Sequence, residues 1–220
     1  MTLFDDPLLQ LGFSLHNQRG VYALLLGSGI SRAAGIPTGW EITNDLIRRI
    51  EETSGSNAEV NWANFYKEKY GKEANYSELL LNLAHTRAER RAILEGYIEP
   101  TDPDRAGSRK LPTRGHKNIA KLVREGYIKI IVTTNFDRLL ETALNEQGVE
   151  PTIVSRASQI MGAGPIQHSN CYILKLHGDY KDANILNTED ELESYPQKTK
   201  ALLNRIFDEY GLIVCGWSGE

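Results

Sequence analysis

Five short apolar runs punctuate the chain, at residues 21–26, 128–133, 152–155, 171–176 and 212–215. Each is too short for a buried helix, and each ends at a polar or glycine turn, as buried parallel strands do. Between them the apolar residues recur at helical spacing. Residues 7–18 place Leu8, Leu11 and Leu15 on one face, and Gly20 ends the pattern. Residues 43–52 carry Leu46, Ile47 and Ile50 as a stripe, and residues 116–125 turn Ile119, Leu122 and Val123 inward before Gly126. Further helices are expected from residue 31, over 136–145, and over 189–210 with a break at Pro196. Strands alternating with helices predict an α/β fold, a Rossmann-like, doubly wound parallel sheet.

One stretch departs from the alternation. From 62 to 97 the period stays helical, through Phe65, Tyr66, Tyr70, Leu79, Leu80, Leu83, Ile93 and Leu94. It reads as a helical insert of about residues 55–113, left through a proline- and charge-rich loop at 99–113. At the other end, a buried strand at 212–215 calls for a covering helix. The expectation is that residues 1–220 form one domain at the N-terminal side of a longer polypeptide.

Composition narrows the classes. The 220 residues are 40% hydrophobic and 25% charged, with a net charge of -4, an ordinary globular balance with no dense basic run, so no direct nucleic-acid partner is expected. Cys171 and Cys215 both lie in apolar runs and no Cys-x-x-Cys occurs, which implies reduced, buried thiols and no tetrahedral cysteine zinc site. The first residues, MTLFDDPLLQ, lack the order of a signal peptide, and no apolar run nears the ~20 residues of a membrane helix. A cytoplasmic protein is expected.

In a parallel sheet the turns after the strands share one edge, where ligands bind. The turns here are Gly27-Ser28-Gly29-Ile30-Ser31, Thr133-Thr134-Asn135-Phe136-Asp137, His177-Gly178-Asp179 and Gly216-Trp217-Ser218. The glycine turn offers backbone N–H groups and a helix start to a pyrophosphate, or it is simply a tight turn. Its spacing breaks the redox-dinucleotide fingerprint, whose third glycine falls on Arg32, and no P-loop Gly-Lys-Ser/Thr exists. Asn135 and Asp137 suit a sugar hydroxyl, a water or an amide, or cap a helix. His177 suits a general base near neutral pH, in contrast to His16, His85, His116 and His168, which lack such company in the sequence.

Taken in order, these turns resemble the sirtuin family, which carries Gly-Ala-Gly-Ile-Ser…Gly-Ile-Pro, Thr-Gln-Asn-Ile-Asp, His-Gly and a Gly-Thr-Ser-like turn. This chain has Gly27-Ser28-Gly29-Ile30-Ser31…Gly35-Ile36-Pro37, Thr133-Thr134-Asn135-Phe136-Asp137, His177-Gly178 and Gly216-Trp217-Ser218. The resemblance implies NAD as substrate and no metal. It implies that Gly27, Ser28, Gly29 and Ser31 hold the pyrophosphate and adjacent ribose, with Thr133, Gly216 and Ser218 also on the NAD side. Asn135 would position the nicotinamide ribose and the attacking group, Asp137 would bind the nicotinamide amide, and His177 would act as base. The departures are informative. The helical insert stands where sirtuin deacylases carry a four-cysteine zinc module, Thr38-Gly39-Trp40 replaces Asp-Phe-Arg, and no acyl-lysine channel is recognisable. These features resemble the bacterial sirtuin-like group of anti-phage defence, which implies hydrolysis of NAD to nicotinamide and ADP-ribose. The resemblance also implies a homo-oligomer or a sensor partner engaged through a further C-terminal region. A protein-lysine deacylase and a non-enzymatic NAD or ADP-ribose sensor are the alternatives.

Overall fold

The computed structural model describes residues 6–53, 61–182 and 195–217. In chain order the elements are α1 (Pro7–Asn17), β1 (Tyr22–Leu26), α2 (Gly29–Arg32), α3 (Gly39–Thr53), α4 (Trp62–Tyr70), α5 (Tyr76–Leu83), α6 (Arg87–Ile98), α7 (Asp102–Ala106) and α8 (Arg114–Arg124). They continue as β2 (Ile128–Thr133), α9 (Leu139–Glu146), β3 (Thr152–Val154), β4 (Tyr172–Lys175), α10 (Gln197–Glu209) and β5 (Gly211–Cys215).

The strands form one five-stranded sheet in the order β3-β4-β2-β1-β5, and every pairing is parallel. This is the Rossmann-like α/β architecture that the alternation of runs predicts. The three inner strands, β4, β2 and β1, are buried on both faces, which is why they read as continuous apolar runs rather than as alternating ones. One face packs Leu24, Leu26, Ile131 and Ile173 against α8 and α9 through Ile119, Ala120, Val123, Ala143 and Leu144. The other face packs Ala23, Leu25, Ile130, Val132 and Tyr172 against Leu202, Leu203 and Ile206 of α10. A third apolar cluster joins α3, α5 and α6 through Leu46, Ile47, Leu79, Leu80, Leu94 and Ile98, and reaches Leu139 at the start of α9.

From β1 the chain builds the sheet on one side, through β2 to β3 and β4, and then crosses to β5 on the other side of β1. The order therefore reverses at β1, the topological position where open α/β sheets place ligands.

Three sequence expectations need correction. The 99–113 segment is not all loop: α7 forms there because Thr101 Oγ1 and the Asp104 carboxylate cap one another's backbone N–H groups, with Pro103 in the first turn. Helix α9 starts at Leu139 rather than at 136, because Asp137 Oδ1 accepts the Leu139 N–H and holds the preceding residues in a turn. Helix α1 is present, but its apolar face is mostly uncovered; Leu8 is 78% and Phe13 70% exposed, and only Leu15 packs on the sheet cluster. The expected helical residues 189–194 lie outside the described residues, as does Ser218.

Candidate functional site

A cavity of about 530 Å³ opens at the carboxyl ends of β1, β2, β4 and β5. That volume is in the range of small-ligand sites. Ser28, Gly29 and Ser31 line it after β1, residues 134–137 after β2, His177 after β4, and Gly216 and Trp217 after β5. The opposite wall is apolar and comes from Ile36, Pro37 and Ile42, with Tyr76, Leu94 and Ile98 from the helices inserted between β1 and β2. Trp40 sits at the rim, 59% exposed.

The polar floor is wired together through Ser31. Its Oγ donates to Asp137 Oδ2 at 2.7 Å, which fixes the hydroxyl hydrogen. The oxygen can then only accept, from Asn135 Nδ2 at 3.3 Å and from His116 Nε2 at 3.4 Å. The tautomer of His116 follows from its other nitrogen. The Thr113 N–H points at Nδ1 at 3.2 Å, so Nδ1 is the acceptor and Nε2 carries the proton. Burial lowers the pKa of His116, against the opposing pull of Asp137, and keeps the ring neutral. Because Asn135 turns its Nδ2 to Ser31, its Oδ1 is buried and left without a partner among the described residues.

His177 lies beside Phe136, ring centroids 6.1 Å apart. Burial alone pushes its pKa down to about 4, so the imidazole is neutral at physiological pH with a lone pair free to take a proton. Beneath both turns lies Lys175, buried at the end of β4. Its Nζ donates to the carbonyl of Asp137 at 2.6 Å, to Glu141 Oε1 at 2.9 Å and to Asp179 Oδ2 at 3.1 Å, and approaches the carbonyl of Phe136 at 3.3 Å. Arg138 Nε closes the group on both oxygens of Asp179, at 2.9 and 2.8 Å. Burial opposes ionisation of Asp179, but Lys175, the Lys181 N–H and Arg138 hold its pKa below the ordinary carboxylate range. Lys175 thus ties the backbone of the 134–137 turn to the strand that carries His177.

The glycine turn is tight and bonded largely within itself and to the end of β5. The N–H groups of Gly27, Gly29, Ile30 and Ser31 donate to Cys215, Gly216, Gly27 and Ser28 carbonyls, within the protein. Helix α2 is a single turn, so it adds little dipole. The glycines are also required by packing. A Cβ on Gly27 would stand 2.5 Å from the Gly216 carbonyl oxygen, and one on Gly216, whose φ is +66°, 2.5 Å from the Ile30 nitrogen.

Comparison with known proteins agrees with this layout. The SIR2-like domain family matches residues 129–220, which hold β2 to β5 and three of the four turns. The NAD(+) hydrolase ThsA of Enterococcus faecium is 26% identical over 200 residues, covering 90% of this chain and 36% of that protein. Defense-associated sirtuin 2 of Bacillus subtilis is 31% identical over 78 residues, 34% of this chain and 7% of that protein. The chain is SIR2-like from residue 129 onward. It spans about a third of the length of the first relative and less than a tenth of the second.

Of the sirtuin-like site residues expected from sequence, Ser28, Gly29, Ser31, Asn135, Asp137, His177 and Gly216 come together around the cavity. Gly27 and Thr133 are not in its lining. Thr133 is buried, donates from Oγ1 to the Leu26 carbonyl and accepts the Asn135 N–H, so it braces the turn. Sequence reasoning set His116 aside as lacking company. The fold corrects this by carrying it from α8 to within 3.4 Å of Ser31. Lys175 and Tyr76 were also missed. A lysine closing an apolar strand was the available clue to the first; Tyr76, in a helical run of aromatics, gave none.

Proposed function

We propose that this sirtuin-like chain binds NAD in the cavity and hydrolyses the bond between nicotinamide and ribose, releasing nicotinamide and ADP-ribose. The supporting observation is the meeting of Asn135, Asp137 and His177 in one cavity at the reversal point of the sheet, in a chain similar to an NAD(+) hydrolase. In the proposed reaction the ribosyl C1′–nitrogen bond breaks, its electron pair passes to the pyridinium nitrogen, and nicotinamide leaves neutral. The positive charge develops on the ribose, where the Asp137 carboxylate gives electrostatic support. Asn135 Oδ1, without a partner among the described residues, accepts a hydrogen from the attacking water or a ribose hydroxyl. A new C1′–oxygen bond forms, and the released proton goes to neutral His177. Ser31 holds Asn135 and Asp137 in register for these steps. Ser28, Gly29 and Gly216 form the side of the cavity assigned to the pyrophosphate and adjacent ribose.

We read residues 1–220 as the catalytic domain of a defence effector whose assembly or partner contacts are made elsewhere in a longer polypeptide. The test is to incubate the full-length protein, in its assembled state, with NAD and measure free nicotinamide. Wild type is expected to release it, and Asn135→Ala and His177→Ala to be slower by about 10²-fold or more. Intact NAD in every sample, or equal rates in all three, refutes the reading.

A further inference from the structure

Two buried side-chain polar atoms have no partner among the described residues, Asn135 Oδ1 and Tyr76 Oη. The mechanism uses the first. The second belongs to α5, in the helical insert, and its residue lines the same cavity. A buried hydroxyl without a partner is unfavourable, so one whose residue lines a ligand-sized cavity points to a bound group that completes it.

The surroundings define that group. Burial pushes the Tyr76 phenol pKa up, so the group is a neutral O–H that offers its hydrogen to an acceptor. The neighbouring cavity wall is apolar, made by Ile36, Ile42, Leu94 and Ile98, and suits a flat ring rather than a phosphate. Tyr76 and Phe136 pack on the same apolar cluster and line the same cavity as His177. The part of the proposed substrate that combines a flat ring with a neutral carbonyl oxygen, next to the bond that breaks, is the nicotinamide carboxamide.

We propose that Tyr76 is a specificity-determining residue whose hydroxyl donates to the carboxamide oxygen of the nicotinamide ring. The helical insert is then a second reader of the leaving group, beside the Asp137 turn at the sheet edge. This inference rests on the NAD reading above.

The test compares wild type and Tyr76→Phe in the assembled full-length protein, with NAD and with its thionicotinamide analogue, whose sulfur is a weak acceptor. Tyr76→Phe is expected to raise KM for NAD about tenfold, as for a lost hydrogen bond of ordinary strength. For the thio analogue the two proteins should agree within about twofold. The unfolding midpoint of Tyr76→Phe without substrate should be equal or higher, since an unpaired buried group is removed. A structural role would lower that midpoint instead, and this result overturns the assignment. An unchanged KM for NAD, an equal loss with both substrates, or a loss that follows changes to the adenine base likewise overturns it. Wild type that neither binds nor cleaves NAD removes the NAD reading and the assignment with it. Cleavage by wild type with an indifferent Tyr76→Phe removes the assignment alone.

Discussion

Lys175→Met isolates the support beneath the site. The lysine is 2% exposed and its ammonium serves two carboxylates and the carbonyl of Asp137. Methionine keeps most of the volume and removes every one of these bonds. Asp179 retains Arg138 and the Lys181 N–H, so its charge stays compensated. Glu141, 7% exposed, loses its ion-pair partner. Stranding one member of a buried pair costs about 3–5 kcal/mol, a large part of the ~5–15 kcal/mol that holds a domain folded. Replacing both members by apolar groups is often close to neutral. Adding Glu141→Leu to Lys175→Met should therefore recover about half or more of the loss. Equilibrium urea unfolding of wild type, both single variants and the double variant closes the cycle. A loss below about 1 kcal/mol in Lys175→Met, or a double variant weaker than either single one, would falsify this account of the cluster.

Three further outcomes are expected. Ser31→Ala leaves Asp137 Oδ2, Asn135 Nδ2 and His116 Nε2 short of a shared partner, and should lower stability by about 1–3 kcal/mol and nicotinamide release at least tenfold. Unaltered release by urea-resistant protein would contradict the wiring. Stability should also fall with acid in a defined window. His177 has an ordinary pKa of 6.5 when unfolded and about 4 when folded, so the unfolded chain binds the extra proton between those values. Its contribution is complete above pH 6.5, declines by about 1.4 kcal/mol per pH unit down to 4 and is flat below. His116 acts in the same direction. His177→Phe should flatten the acid limb of unfolding free energy measured from pH 7 to 4.5, and an unchanged limb counts against a buried neutral imidazole. Gly216→Ala, with its positive φ and a Cβ against the Ile30 nitrogen, should destabilise by about 2–4 kcal/mol in the same assay; a neutral result would show that the strand end and the glycine turn are not in close contact.

Much of the fold was legible because it rests on local patterning. The run at 128–133 became β2 with those bounds, since a strand covered on both faces needs unbroken apolar sequence. Element starts governed by one side chain were harder to read. Asp137 delays α9, and the Thr101–Asp104 pair builds α7 inside a stretch that composition marks as loop. Burial was legible only where another element is known to cover it: Leu8 has helical spacing like Leu46, yet one is exposed and the other buried. The candidate site divides the same way. Asn135, Asp137 and His177 stand at strand ends, and parallel topology alone gathers them on one edge. His116 and Tyr76 reach the site through tertiary packing, over separations in sequence that no motif spans, while Lys175 stands two residues before His177 and meets Asp137 and Glu141 only through the fold. Ser31 shows both sides, being legible as part of a motif but carrying a role, holding its neighbours, that only the distances reveal.

The contact between the glycine turn and the end of β5 constrains which sequences this site can reach by mutation. A bulky residue at one face of a packed pair is commonly rescued by shrinking the residue opposite. Here Gly27 and Gly29 face Gly216, and all three are already the smallest residue available. No second substitution can make room by size reduction, so an added side chain at any of them must be absorbed by moving the backbone that frames the cavity. The three positions should therefore behave as one hereditary unit, kept or lost together, and a library randomising them should return almost only the starting triplet.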